Sequence, residues 1–293
     1  MSKQQFILAQ AAPLWKTFVR DTARGRRLSL RAWRFLTVIG CLLLFVLSYR
    51  IDLQFLEGTL VGSRFIGLHL IDLFVTLQVF AAHHAIPRNL AIGTATVLVV
   101  YVALGGRSFC AWVCPYGILS EIGESIRFWL IEKKILKKGT YLPDKMKYVI
   151  WAAFLLASFL TGILVFEIFN VVGVIYRALL YGGLLSLTIV FLILLLEIFV
   201  SRRVWCRSVC PVGTTYGFLN PIALLKLKVN KPRCNNCGAC TAVCHVPKAL
   251  APVFSKDEKA IYIVSTDCTL CGRCIDVCDE DALTFTNRLK NLV

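Results

Sequence analysis

Two runs near the C-terminus, CNNCGACTAVC at 234–244 and CTLCGRCIDVC at 268–278, decide how the rest of the chain is read. Each has the spacing Cys-x2-Cys-x2-Cys-x3-Cys. Three thiolates at intervals of three residues wrap one face of an iron–sulfur cubane, and a loop containing Gly238 or Gly272 can turn backbone amides toward the sulfides. In two-cluster ferredoxins the fourth cysteine of each run crosses to the other cluster. The spacing therefore assigns one [4Fe–4S] cluster to Cys234, Cys237, Cys240 and Cys278, and a second to Cys268, Cys271, Cys274 and Cys244. A pair of zinc sites is the competing reading, but zinc takes four ligands in two separated pairs rather than two runs of four. The proline that usually follows the fourth cysteine is replaced by His245 and Asp279, which alters the adjoining turn and leaves the ligands intact. β-prone segments at 260–264 and 283–286 flank the runs, so residues 221–293 read as an α+β two-cluster ferredoxin-like domain.

Upstream of that module the composition changes. Apolar residues make up 57% of the 293 positions and charged residues only 17%, against about half and a quarter in soluble domains. Lipid-facing surface accounts for the surplus. Four apolar stretches approach the ~20 residues that cross a bilayer: 35–49, 89–105, 148–166 and 182–200. A fifth, 66–86, is interrupted by His69, Asp72, His83 and His84. No cleavable signal peptide is expected, because the basic leader is too long for an n-region and no small-residue cleavage site follows the first apolar run.

Charge decides between four spans and five. Lys3, Lys16, Arg20, Arg24, Arg26, Arg27, Arg31 and Arg34 precede the first span, against Asp21 alone. Arg107, Arg127, Lys133, Lys134, Lys137, Lys138, Lys145 and Lys147 lie between the second and third, and Arg202, Arg203 and Arg207 follow the fourth. With four spans these segments all fall on one side, as cytoplasmic loops require. The expected architecture is an α-helical membrane protein with a basic cytoplasmic N-terminus (1–34), a four-helix membrane domain (35–220) and the cluster module, both termini being cytoplasmic. The stretch 66–86 then lies outside or re-enters the membrane as an interfacial helix. The net charge of +16 is spent flanking apolar runs, so it reads as membrane topology, not nucleic-acid binding.

Thirteen cysteines, twelve of them in tight groups, point to metal ligation on a reducing side rather than to disulfides; Cys41 stands alone in an apolar run as a packing residue. The remaining four form a repeat, FCAWVCPYG at 109–117 and WCRSVCPVG at 205–213, each at the cytoplasmic end of a helical hairpin. This duplication predicts a pseudo-twofold axis along the membrane normal, which would gather Cys110, Cys114, Cys206 and Cys210 beneath the bundle. The i, i+4 spacing puts each pair on one helix face, and Pro115 and Pro211 mark a helix start or break. The four thiols read as a third redox or metal site, as a partner-docking patch, or as small buried residues at helix ends.

The ordered set of motifs resembles the NapH family, the membrane ferredoxin-type subunits of quinol dehydrogenase in periplasmic nitrate reductase systems, with the MauN type of methylamine utilisation as a near relative. The resemblance rests on the basic N-terminus, the four spans, the two Cys-x3-Cys-Pro motifs and both ferredoxin runs, and is especially close over DCTLCGRCIDVC at 267–278. LIDLFVTLQ at 70–78 looks like the family's outer segment, with Leu73 where proline is usual. It implies a protein of the bacterial inner membrane that takes electrons from quinol. It also implies delivery, through a periplasmic iron–sulfur subunit of the NapG type and c-type cytochromes, to a periplasmic nitrate reductase. A quinol site needs an apolar slot and a proton acceptor, and Asp72 and His84 are the candidates in 66–86. The alternative is a membrane reductase serving metal loading or maturation of another redox enzyme, the MauN-type role included. No phosphate cradle, dinucleotide fingerprint or Cys-x-x-Cys-His is present, so the chain is read as an electron-transfer subunit without nucleotide or covalent haem.

Overall fold

The computed structural model describes residues 18–22, 25–51, 56–65, 67–136, 142–254 and 262–288. A hairpin of β1 (Val19–Thr22) and β2 (Gly25–Leu28) leads into α1 (Leu30–Ile51). Four orphan amides open every helix. Here the Asp276 carboxylate takes those of Leu30 and Arg31 at 3.0 and 3.1 Å, and Ser29 Oγ takes that of Ala32. The first helix is thus capped by the C-terminal module. Leu36, Ile39, Leu43, Leu44 and Leu47 on α1 are exposed. Among the described residues α1 alone is a single helix long and apolar enough to cross a membrane.

A three-stranded antiparallel sheet follows, β3 (Leu56–Thr59), β4 (Gly62–Phe65) and β5 (Leu68–Ile71), in that spatial order. It leads into α2 (Leu73–His83) and α3 (Arg88–Leu104). The stretch 66–86 is therefore not one interfacial helix. It is a strand and a short helix folded back among the others, with Phe74 and Gln78 fully buried. Burying Gln78 requires a partner for its amide, and Nε2 donates to Ser158 Oγ at 2.9 Å. Strand β5 crosses α3 at Gly93, where a Cβ would stand 3.0 Å from His69 Cβ and Ile71 Cγ1.

The chain leaves α3 at Gly105 (φ 95°) and bends by 97° into the segment Gly106–Trp112; α3 and this segment together are a second candidate span, broken at its end. That segment ends in α4 (Phe109–Trp112), and α5 (Pro115–Glu132) follows. The second half repeats the plan: α6 (Met146–Thr161), α7 (Val165–Phe169), α8 (Val171–Tyr181), α9 (Leu187–Phe199), one π-helical turn at Trp205–Val209, then α10 (Pro211–Leu219). Helices α6 and α9 have 16 and 13 residues, shorter than the apolar stretches that contain them. Residues 167–181, between the third and fourth apolar stretches, hold α8, with Val171, Val172, Val174, Ile175 and Tyr176 buried.

The C-terminal module is built on β6 (Leu225–Val229), flanked antiparallel by β7 (Tyr262–Ile263) and β8 (Leu283–Asn287). Helices α11 (Ala239–Val243), α12 (Ala251–Phe254) and α13 (Arg273–Asp276) complete it around Leu227, Leu250, Ile263 and Leu283. It is locked onto the helices by polar contacts. Arg107 Nη1 meets Asp267 at 2.7 Å, Asn220 Nδ2 donates to the carbonyls of Ser265 and Cys268, and Trp112 Nε1 donates to Leu270 O at 3.0 Å.

Beneath these contacts lies a buried ionic cluster. Glu121 on α5 meets Arg31 and Arg34, each at 2.6 Å, and Arg203 at 3.4 Å. Glu124, one turn on, binds Arg202, meets Arg203 at 2.9 Å and Arg273 at 3.0 Å. Burial alone would push both carboxyls up, but the surrounding guanidiniums override it and hold them below the ordinary carboxylate value. Glu197, near the end of α9, accepts the Trp205 amide at 3.1 Å.

Candidate functional site

In each ferredoxin run the same two positions adopt left-handed backbone: Asn236 and Gly238 in the first, Leu270 and Gly272 in the second. Left-handed residues among right-handed ones turn successive amides to one side, the concavity that anionic sulfur needs. A non-glycine residue held there costs about 1–2 kcal/mol, and Leu270 is held by packing against Gly105 and by Trp112. Cys234, Cys237, Cys240 and Cys278 surround one small void, and Cys244, Cys268, Cys271 and Cys274 surround another. The first lies nearer solvent, with Cys237 exposed; the second faces the helices. Burial pushes the thiols of Cys244 and Cys268 up, to about 12 and about 11, with neighbouring cysteines adding to it. Only bound cations would hold so many thiolates together. His245, standing where proline is usual, is buried with Nε2 3.3 Å from Thr269 Oγ1, and burial and nearby arginines keep it neutral.

The two Cys-x3-Cys-Pro motifs also share one geometry. The Cys114 amide donates to Phe109 O at 3.0 Å and the Cys210 amide to Trp205 O at 2.8 Å, the same five-residue closure in each. Cys114 and Cys210 are then the extended N-caps of α5 and α10, with Pro115 and Pro211 in the first turn. The pairs therefore do not lie along one continuous helix face; each straddles a helix start. All four thiols pack against one shared core, and Cys114, Cys206 and Cys210 each lie within electrostatic reach of a cysteine of the other motif. Among the described residues no three His, Cys, Asp or Glu side chains stand close enough for a single metal ion. That holds for the ferredoxin cysteines too, which stand in two sets of four around separate voids.

Above these turns opens an apolar cavity of about 330 Å³. Its walls come from α1 (Leu44, Phe45), the β3–β4 turn (Leu60, Val61) and α3 (Val97, Tyr101), and its floor from Phe109, Val113, Val212 and Tyr216 beside the cysteines. Three buried polar residues line it, Ser63 and, at two helix starts, Asp72 and Asn170. Each of the latter two is the N-cap of an 11-residue helix, Asp72 of α2 and Asn170 of α8, in corresponding places of the two halves. Asp72 takes the Phe74 amide and shares the cavity wall with Tyr216, while Asn170 takes the amides of Val172 and Gly173. Two helix N-termini, each with positive dipole character, thus face one apolar slot. His84 is elsewhere. It is the exposed C-cap of α2, its ring on Phe159, about 18 Å along the helix from Asp72 at ~1.5 Å per residue. The structure does not bring Asp72 and His84 together.

Sequence reasoning missed Asn170, Tyr216 and Trp112. Asn170 directly before an apolar run was an N-cap signal, but the tyrosine and the tryptophan carried none.

A family model described as "4Fe-4S binding domain" matches residues 89–138 and again 183–232, the two cysteine-turn repeats, and one described as "4Fe-4S dicluster domain" matches 226–282. The ferredoxin-type protein NapH of Haemophilus influenzae is 30% identical over 88% of this chain and 90% of its own length. That of Escherichia coli is 33% identical over 75% of each. The chain belongs to the NapH/MauN family. The methylamine utilization ferredoxin-type protein MauN of Methylorubrum extorquens is 32% identical over 88% of this chain and 89% of its own. No solved structure matches. As a ferredoxin-type NapH/MauN protein, the chain binds iron–sulfur clusters and transfers electrons.

Proposed function

We propose that this NapH/MauN protein is the membrane iron–sulfur subunit of a quinol dehydrogenase. It crosses the bacterial inner membrane four times with both termini cytoplasmic, and it carries [4Fe–4S] clusters on Cys234, Cys237, Cys240 and Cys278 and on Cys268, Cys271, Cys274 and Cys244. The exposed leucines and phenylalanines of α1, α3, α6 and α9 support the four spans, since such a surface belongs in lipid.

The observation that carries the quinol reading is the apolar cavity with Asp72 at its wall and the cysteine turns as its floor. A quinol ring fits such a slot, and a buried carboxylate at membrane depth is costly unless it works. Oxidation of one quinol to quinone releases two electrons and two protons. Asp72, oriented by the Phe74 amide, accepts the protons one at a time and returns each to water. The ferredoxin module takes the electrons, one per cluster. By the family resemblance they pass on, through an iron–sulfur subunit of the NapG type and c-type cytochromes, to a periplasmic nitrate reductase.

A second reading, reductant supply for metal loading or maturation of another redox enzyme, rests on the near-equal likeness to MauN. Anaerobically purified full-length chain mixed with duroquinol separates the two. Rapid bleaching of the cluster absorbance is expected, slowed roughly 100-fold in Asp72→Asn with iron content unchanged and unaltered in His84→Ala. An unchanged rate in Asp72→Asn removes quinol from this cavity. Bleaching by dithionite but never by a quinol favours the second reading.

A further inference from the structure

The cavity floor and the ferredoxin module are separated by Cys110, Cys114, Cys206 and Cys210, and neither cluster of that module uses them. We propose that these four thiols hold one further [4Fe–4S] cluster, ligated by two residues from each repeat and lying on the pseudo-twofold axis between the halves.

The site is built for a large anionic group. Each half presents a cysteine at the N-cap of the following helix, Cys114 before α5 and Cys210 before α10, where the first helical amides have no intrahelical partner. Glycine is required at the first turn, and the second leaves little room for a side chain. A Cβ at Gly117 would stand 2.5 Å from Cys110 O, and one at Gly213 would stand 3.5 Å from Cys110 Sγ and 3.2 Å from Arg107 Nη2. That close approach of Gly213 to Cys110 places the two halves at one centre. Arg107 is 2% exposed; its guanidinium bonds Asp267 and Cys206 O and faces the Cys110 thiol, while its buried Nε has no hydrogen-bond partner. Glu197 braces the Cys206 turn through the Trp205 amide. Four thiolates and a guanidinium aimed at them suit an iron–sulfur cluster, which is net anionic, better than isolated thiols. A single metal ion does not fit, because no three of these groups converge on one point. The family model for 4Fe-4S binding matches each repeat, and each repeat supplies only two cysteines, so one cluster must be shared.

Position gives the cluster its role. Cys110 and Cys206 share a second, narrower void with Cys271, Arg34 and His245, so this site adjoins the inner ferredoxin cluster. Val113 and Val212, neighbours of Cys114 and Cys210, line the apolar cavity on its other side. Electrons leaving quinol one at a time would reduce this cluster first, each then moving on to the inner ferredoxin cluster and returning the first to its oxidised state. The role rests on the quinol reading; the cluster does not.

Iron and acid-labile sulfide, counted per full-length chain after anaerobic purification, test the site. About twelve of each are expected, falling to about eight in Cys206→Ser/Cys210→Ser, with the EPR signals of the ferredoxin clusters retained after dithionite reduction. Cys41→Ser keeps about twelve and controls for loss of a buried thiol. About eight irons in the wild type, or about ten as a two-iron cluster would give, overturns the proposal, as does alkylation of all four thiols in the native protein. Because the count needs no reductant and the EPR uses dithionite, a failure of quinol to reduce the protein sinks the quinol reading and leaves the cluster standing.

Discussion

Glu121 and Glu124 sit one turn apart on α5 and between them hold Arg31, Arg34, Arg202, Arg203 and Arg273. Two buried carboxylates facing five guanidiniums leave net positive charge under the inner ferredoxin cluster, whose own charge is negative. Removing one carboxylate leaves buried cations unpaired, which costs about 3–5 kcal/mol. Glu124→Gln is therefore expected to lower the thermal midpoint of cluster loss by several degrees. Because both carboxyls are held below their ordinary value, the stability they add is fully present above about pH 4.3 and is lost only as pH falls through the lower folded values. The gap between wild type and Glu124→Gln should stay constant from about pH 5.5 to 8. A gap that closes within that window would show that Glu124 titrates there and that the arginines do not hold it.

At the scale of elements, the contact of β5 with α3 decides whether the cavity exists. The two elements approach closely at Gly93, and a branched side chain there meets His69 and Ile71 before it meets solvent. Gly93→Val is expected to displace β5, and with it Asp72, raising the KM for duroquinol at least tenfold while iron content is unchanged; an unaltered KM would mean that β5 does not shape the quinol slot. Elements differ in how far the chain announces them. The ferredoxin loops were legible because cluster chemistry dictates spacing, and α1 because the apolar run 35–49 that it contains has few other uses. Helices α2 and α8 were not, since 11 apolar residues read equally well as an interfacial segment or as the shoulder of a longer span. Their caps settle the matter only when Asp72 and Asn170 are seen to face the same space. Likewise Asp72 and His84 share a helix, and only its direction separates them.

For the whole molecule, the ferredoxin module and the helical domain are one working unit. Asp276 caps α1, Trp112 and Arg107 hold the loop of the inner cluster, and Asn220 binds two carbonyls of the same loop. The module must therefore lie on the side of the membrane where α1 begins and α3 ends. If α1, α3, α6 and α9 all cross, that side also receives the basic segments, and the turn at Gly162 lies opposite, between α6 and α7. Green fluorescent protein fused after Val293 is then expected to fluoresce in cells. A cysteine placed at Gly162, in a background where Cys41 is serine, should react with a membrane-impermeant maleimide added from outside. A dark fusion together with an unreactive Gly162→Cys would invert the arrangement, putting the clusters on the outer face and making direct delivery to an outer acceptor the simpler electron path.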